Sequence, residues 1–343
     1  MSKFLTLSYT KIVNAIVQSL DFCRVSILRL TLKPKFLRKL YGQTHIRLSV
    51  GMLVTTAVIL PLAFMAPELL LAFGPMIFGY PHLIASYRFT PELKCFGLFL
   101  VMTLLAVVLH LTKFGLPLPF GVWQIVVATL TLLIVRRGSW VSGFLAVGGC
   151  ALMVKLAWME PLVFVGGSLL LHNWVAFFYW IKVSRNSARR SAAMLWTFVF
   201  LVIHVLVLTG QLDSWIPVRE GSVHFVGNIQ NTAWMLASWS NEALVWYRFL
   251  VLYVYGLSVH YFVWLRAIPE SRKVSEHPSS FRFIAEDLKA SLGKRILIFT
   301  LLLCAGGIIL WLISMPLGAQ VYFEIAILHG SLELMFLLPR KKS

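Results

Sequence analysis

Between residues 49 and 338, ten apolar runs of near-membrane length follow one another, each closed by charge or by a short polar connection. They fall at roughly 49–66, 68–87, 96–112, 119–135, 139–157, 161–181, 192–210, 244–265, 296–314 and 319–338. A helix of about 20 residues crosses the about 30 Å hydrocarbon core, and it satisfies every backbone N–H and C=O within its own segment. Only 13% of the 343 residues are charged, about half the share of a soluble domain. The pattern predicts an all-α chain, a polytopic transmembrane helix bundle of about ten spans.

The cations test that count. With the N-terminus cytoplasmic, 27 of the 31 Lys and Arg fall on the cytoplasmic side, in 1–47, at Arg88 and Lys94, at Arg136 and Arg137, in 182–190, in 266–295 and in 340–342. The opposite side keeps Lys113, Arg219 and Arg248, and Lys155 lies within the fifth run. So strong an asymmetry predicts both termini in the cytoplasm, and the expected location is a bacterial inner membrane. It also accounts for the net charge of +18. The cations flank apolar runs and form no separate basic domain, so no nucleic-acid partner is expected.

The expected organisation is a basic membrane-surface segment at 1–47 and a transmembrane domain at 48–339, with an external loop at 211–243 and a cytoplasmic loop at 266–295. Residues 11–30, "KIVNAIVQSLDFCRVSILRL", place apolar side chains at helical spacing among cations, which suits a helix lying on anionic lipid. The N-terminus has neither an uninterrupted apolar core nor a small-residue cleavage site, so no cleaved signal peptide is expected. Cys23, Cys95, Cys150 and Cys304 are scattered and suggest neither a disulfide framework nor a thiolate site. There is no Walker loop, glycine-rich phosphate cradle or nucleophile–base pair, and "GPMIFG" and the paired glycines read as close helix packing.

The chemistry is carried by histidine. His82, His172, His260 and His329 lie on the second, sixth, eighth and tenth runs, all of which descend toward the cytoplasm in this topology. The next cation follows six, ten, six and eleven residues later, which puts the four rings about 9 to 16 Å from the cytoplasmic boundary. Four imidazoles from parallel helices can then converge. An ionisable side chain in hydrocarbon is costly and usually faces the bundle interior, and neutral imidazole is the commonest transition-metal ligand. Glu333 shares a helix face with His329 and suits a carboxylate that orients a metal-bound ring from behind. His204, on the seventh run, suits a similar supporting place. His110 lies near the outer boundary. Asn173 and Tyr261, next to histidines, are expected to pack, and Pro81 frees a carbonyl one turn before His82.

Aromatic residues make up 14% of the chain and crowd these same helices. An aromatic-lined cavity beside a metal would suit a lipid-soluble, isoprenoid-like substrate. With "GYPH" at 79–82, "LH" at 171–172, "VH" at 259–260 and "LH" at 328–329, the chain resembles the Brp/Blh family of membrane carotene dioxygenases. The resemblance implies Fe(2+) held by His82, His172, His260 and His329, with O₂ as co-substrate and oxidative cleavage of a carotenoid C=C bond. The residues themselves leave two other classes open. One is a bis-histidine haem b redox protein, which needs only two facing histidines. The other is a transporter or a non-catalytic partner protein, in which buried His and Glu relay protons.

Overall fold

The computed structural model describes residues 15, 18–19, 21–26, 28–29, 32–79, 82–83, 105, 122, 126, 129, 140–159, 161–216, 243–275, 281–314, 317–318, 321–322, 326, 329 and 333. Among these the regular structure is entirely helical. A short surface helix, α1 (Lys35–Gly42), leads into α2 (Thr44–Met65). After a break at Ala66, α3 (Pro67–Gly74) runs into a π-helical turn, Pro75–Gly79. Next come α4 (Trp140–Met159), α5 (Pro161–Val183) and α6 (Ser187–Leu208). The long helix α7 (Ala243–Phe262) continues through a second π turn, Val263–Ala267, into α8 (Ile268–Arg272). Two more follow, α9 (Phe281–Leu292) and α10 (Lys294–Ile313).

Three helices, Thr44–Met65, Ser187–Leu208 and Tyr247–Arg272, are long and apolar enough to cross a membrane. Their roles in the bundle differ. The third has 67% of its spanning window buried inside the protein, against 33% and 39% for the other two. A helix that is hydrophobic all round belongs in the core. Residues 251–257, "VLYVYGL", are accordingly buried on every face, and α7 packs against α2, α3, α5 and α6.

Side-chain ties fix the relative directions. Along α7 and its continuation α8, Glu270 meets Arg47, Tyr255 meets Thr56 at 3.4 Å, and the Tyr247 hydroxyl donates to the Phe64 carbonyl at 2.5 Å. The α2 partners rise in number as those on α7 fall, so the two helices are antiparallel. On α5, Asn173 lies against Gly256, and Trp180 donates its indole N–H to Ser271 Oγ at 2.7 Å. Helix α5 is therefore parallel to α7. On α6, Arg189 reaches the Ser271 and Lys273 carbonyls at one end of the bundle, and Leu208 lies by Arg248 at the other, so α6 runs with α2.

In lipid, apolar contact alone drives little helix association, so close packing and polar ties must hold such a bundle together. Small residues mark the close approaches. A Cβ on Gly51 would meet Phe262 Cζ at 2.7 Å, and one on Gly256 would meet Asn173 Nδ2 at 2.6 Å. The polar ties gather at the two ends. At one end Glu270 accepts from Arg47 and lies 3.3 Å from Arg266. Thr44 Oγ1 accepts from Arg47 Nη2 at 3.1 Å and from Arg189 Nη2 at 3.4 Å. At the other end, Asp213 accepts from both Arg248 Nε and Nη2.

These ties move two boundaries away from the hydropathy reading. Helix α2 starts at Thr44 because the Arg47 charge is neutralised by Glu270. The 266–295 segment, expected as a loop, is largely helical: the α7 rod runs on to Arg272, with Arg266 and Glu270 paired one turn apart, and α9 follows. Of the 211–243 loop, only residues 211–216 and Ala243 are described. They include a 3₁₀ turn at Asp213–Trp215 that closes the end of α6.

The Arg47 and Glu270 side chains are 3% and 1% exposed, so removing one partner leaves the other charged and buried. Glu270→Ala is expected to cost about 3–5 kcal/mol, read as a shifted unfolding midpoint in detergent. Glu286→Ala removes the exposed Arg282–Glu286 pair and should leave the midpoint at the wild-type value. Equal midpoints for the two variants would show that the Arg47–Glu270 tie is not what holds this end together.

Candidate metal centre

Where α3, α5 and α7 run alongside the C-terminal helical positions, the chain gathers its ionisable residues. His82 follows the Pro75–Gly79 π turn by three residues, and His260 precedes the Val263–Ala267 π turn by three. Such turns are frequent at functional sites, where the extra residue re-aims the helix face. His172 comes from the middle of α5. Tyr322, Ala326, His329 and Glu333 are helical and buried, at the i, i+4, i+7 and i+11 spacing of one helix face. Pro81 and His110 lie outside the described residues.

The four rings and the carboxylate meet edge to edge. His82 Nε2 lies 3.0 Å from His260 Nε2 and 3.1 Å from His329 Nε2. Glu333 Oε1 is 2.6 Å from His329 Nε2 and 3.7 Å from His82 Nε2. Its second oxygen lies 3.2 Å from His172 Nδ1. The His172 and His260 ring centroids are 4.2 Å apart. His82, His260, His329 and Glu333 are at most 2% exposed.

A cluster of this kind could hold a cation. Neutral imidazole offers one lone pair and one N–H, and a single nitrogen of His82 faces two other imidazole nitrogens and a carboxylate oxygen. One N–H can serve only one of them, so hydrogen bonding alone leaves lone pairs opposed in a dry site. The distances suit an ion instead. With metal–imidazole bonds of about 2.0–2.1 Å, ligands at right angles around one metal lie about 3.0 Å apart. Single ligand atoms from His82, His172, His260 and Glu333 all lie within 4.8 Å of one another. This group could hold a metal ion, and His329 Nε2 stands in contact with two of its members.

The surroundings are apolar and aromatic. The Trp264 ring lies 5.9 Å from that of His82 and 6.3 Å from that of His260, and it stacks on Tyr179 at 5.4 Å. The Trp264 indole also faces the Glu333 carboxylate. The Tyr261 ring lies 5.5 Å from His82, and its hydroxyl is 2.7 Å from that of Tyr322. Asn173 turns its amide toward Gly256, while its backbone faces the His260 ring.

The sequence reading and the geometry diverge in two places. Glu333, expected behind a ligand, has its oxygens in the ring of converging donors. The signal for this was its cost: a carboxylate on the His329 face of a helix in hydrocarbon has few ways to be tolerated other than charge pairing. His204 stands apart. Its Nδ1–H donates to the Phe200 carbonyl at 2.8 Å, and its ring packs on Phe200 at 4.1 Å and Trp174 at 5.4 Å. Among the described residues it touches none of the converging donors. Sequence reasoning missed the placement of Trp264 and Tyr322, which aromatic content alone could not distinguish from core.

No family model, curated protein or solved structure matches this chain. The likeness to carotene dioxygenases rests on the four histidine motifs alone.

Metal content per folded chain, measured by elemental analysis, tests the donor set. His82→Ala, His260→Ala and Glu333→Gln should each remove most of the bound metal. His204→Ala should retain it, since its ring is occupied elsewhere. Retention by both His82→Ala and His260→Ala would rule out a metal at this point, and loss in His204→Ala as well would show that the variants report destabilisation.

Proposed function

We propose that this chain is a membrane-embedded non-haem iron oxygenase that cleaves a C=C bond of a hydrophobic, carotenoid-like substrate. The observation that carries this reading is the convergence of four imidazoles and one carboxylate, sealed by aromatic rings, beside an apolar cleft of about 660 Å³. Bound Fe(2+) would supply the one-electron chemistry by which ground-state O₂ reacts with an alkene. The overall step balances without a further reductant: one C=C bond and one O₂ give two carbonyls.

In this reading His82, His172, His260 and His329 hold the ion, and Glu333 brings one negative charge to an otherwise neutral set. Neutral donors suit a site that must keep positions open for substrate and O₂ without accumulating charge in a low-dielectric interior. Trp264, Tyr179 and Tyr261 exclude water, so the carbonyl-forming step is protected from competing reactions. The spacing favours a bare ion over haem b. Axial nitrogens on opposite faces of a porphyrin stand about 4 Å apart with the macrocycle between them, whereas these lie at 3.0 and 3.1 Å.

The proposal includes the ten-span arrangement with both termini cytoplasmic. The antiparallel relation of α2 and α6 to α5 and α7 supports it, because these are the first, seventh, sixth and eighth runs. Helix α1 buries none of its residues, with Lys35, Arg38 and Lys39 beside exposed Phe36 and Leu40. That is the form of an interfacial helix attracted to anionic lipid.

Purified protein should carry about one iron per chain and show no Soret band. In the presence of β-carotene and O₂ it should yield aldehydes that carry oxygen from O₂ in both fragments. A Soret band, or iron without any product from a panel of carotenoids, would overturn the reading. Reporter fusions after Arg137 and Lys182 should report the cytoplasm and one within 217–242 the outside; a cytoplasmic 217–242 would overturn the ten-span arrangement.

A further inference from the structure

The apolar cleft lies between α2, α3 and α7, with Val58, Leu70, Phe73, Ile77, Phe262 and Leu265 among its walls. Val58, Phe73 and Ile77 are at least 50% exposed among the described residues, so the cleft opens sideways, toward the hydrocarbon that surrounds the bundle. Its inner wall is Tyr261, helped by Phe78, whose ring lies 6.2 Å from that of Tyr261. The other side of Tyr261 faces His82 at 5.5 Å. One aromatic ring therefore separates the cleft from the converging donors. That ring is held by the hydroxyl contact to Tyr322, which sits so close to Gly79 that a Cβ there would meet it at 2.6 Å.

The cleft is not uniformly apolar. Arg266 lines one end, five residues from Tyr261 and so about 7.5 Å further along the helix. Its Nη2 lies 3.3 Å from Glu270, but Glu270 also serves Arg47, so two guanidinium groups share one carboxylate. That end of the cleft has an excess of positive charge. A guanidinium has five N–H donors in a planar fork suited to an oxygen acceptor. Of the other polar wall groups, Ser258 spends its hydroxyl on the Val254 carbonyl at 2.8 Å, the Tyr261 hydroxyl meets that of Tyr322, and Thr55 offers a neutral hydroxyl. Recognition by charge therefore falls to Arg266.

We infer that the cleft binds an isoprenoid chain with an oxygen acceptor at one end, a carboxylate or carbonyl seated at Arg266, so that the chain lies along α7 with its middle against Tyr261. This rests on the oxygenase reading for its chemistry and sharpens the substrate class from a plain hydrocarbon to an end-oxidised one. A fatty acid shares the head-group chemistry, and the test separates the two.

The experiment measures saturable binding to the full-length protein in detergent micelles, with retinoate, β-carotene and oleate as probes and with iron content measured on the same samples. Retinoate should bind, and Arg266→Gln should weaken it about tenfold, the loss of one charge-assisted hydrogen bond, while β-carotene binding changes little. The double variant Val58→Phe, Ile77→Phe fills the cleft and should weaken both polyenes about tenfold or more with iron content unchanged. Oleate should compete poorly. Retinoate binding indifferent to both sets of changes would overturn the site, and oleate competing as well as retinoate would overturn the isoprenoid assignment. Protein without iron that still shows the expected retinoate behaviour would sink the oxygenase reading and leave the cleft standing. Iron-loaded protein with indifferent retinoate binding would do the reverse.

Discussion

Carrying an ionisable group into hydrocarbon costs several kcal/mol unless it finds a partner, and the fold is arranged around meeting that requirement three times. At one end of the bundle Glu270 is placed so that Arg47 can enter α2 with its charge neutralised. At the other, Asp213 takes up Arg248. Between them, four imidazoles and Glu333 face one another. The first two sets are ion pairs, with Arg47 and Arg266 sharing Glu270 at one end and Arg248 meeting Asp213 at the other. The central set, while its imidazoles are neutral, has more lone pairs than hydrogens to share, and it could hold a metal ion.

The same requirement explains why α7 is the centre of the bundle. The rod that runs from α7 into α8 contributes Glu270 at one end, paired with Arg47 of α2, Arg248 at the other, paired with Asp213, and His260 between, facing His82. A helix with polar demands on several sides cannot lie at the lipid boundary. The π turn at Val263–Ala267 sits where His260, Tyr261 and Trp264 must all turn toward the centre within one stretch of helix. His260 and Trp264, four residues apart, share one helix face, and Tyr261, three residues before Trp264, is their neighbour on it.

Much of this was legible in the sequence because the signals are expensive. Four histidines in apolar runs, each followed by a cation at comparable distance, announce a shared depth, and those four rings are the ones that meet. What periodicity could not supply was the lateral arrangement. His204 has the same composition signal as His172, yet its Nδ1 is taken by the Phe200 carbonyl one turn back, a local bond that any helical histidine can make. Glu333 read as a supporting group because its spacing from His329 says that the two share a face and nothing about what lies opposite. The opposing residues, His82 and His172, come from sequence positions more than 150 residues away. Helix ends were misread for a related reason: Arg47 and Arg266 look like boundary charges until Glu270 is placed beside them.

The separation of apolar cleft from polar centre by a single tyrosine fits the chemical demands on such a site. Lone-pair donors assembled in hydrocarbon must be kept from bulk water, which would compete for any cation and for reactive fragments. In the oxygenase proposed here they would also have to be reachable by a substrate that does not dissolve in water. A passage from the aqueous side would meet the second demand badly, and a fully sealed bundle would not meet it at all. A lipid-facing cleft whose inner wall is an aromatic side chain meets both, because the wall presents apolar surface to the chain and its hydroxyl is satisfied by Tyr322. In that proposal, opening the wall would break one hydrogen bond between two phenols and leave the Arg47–Glu270 and Arg248–Asp213 ties in place, so the ends of the bundle would stay fixed while its middle admitted the substrate.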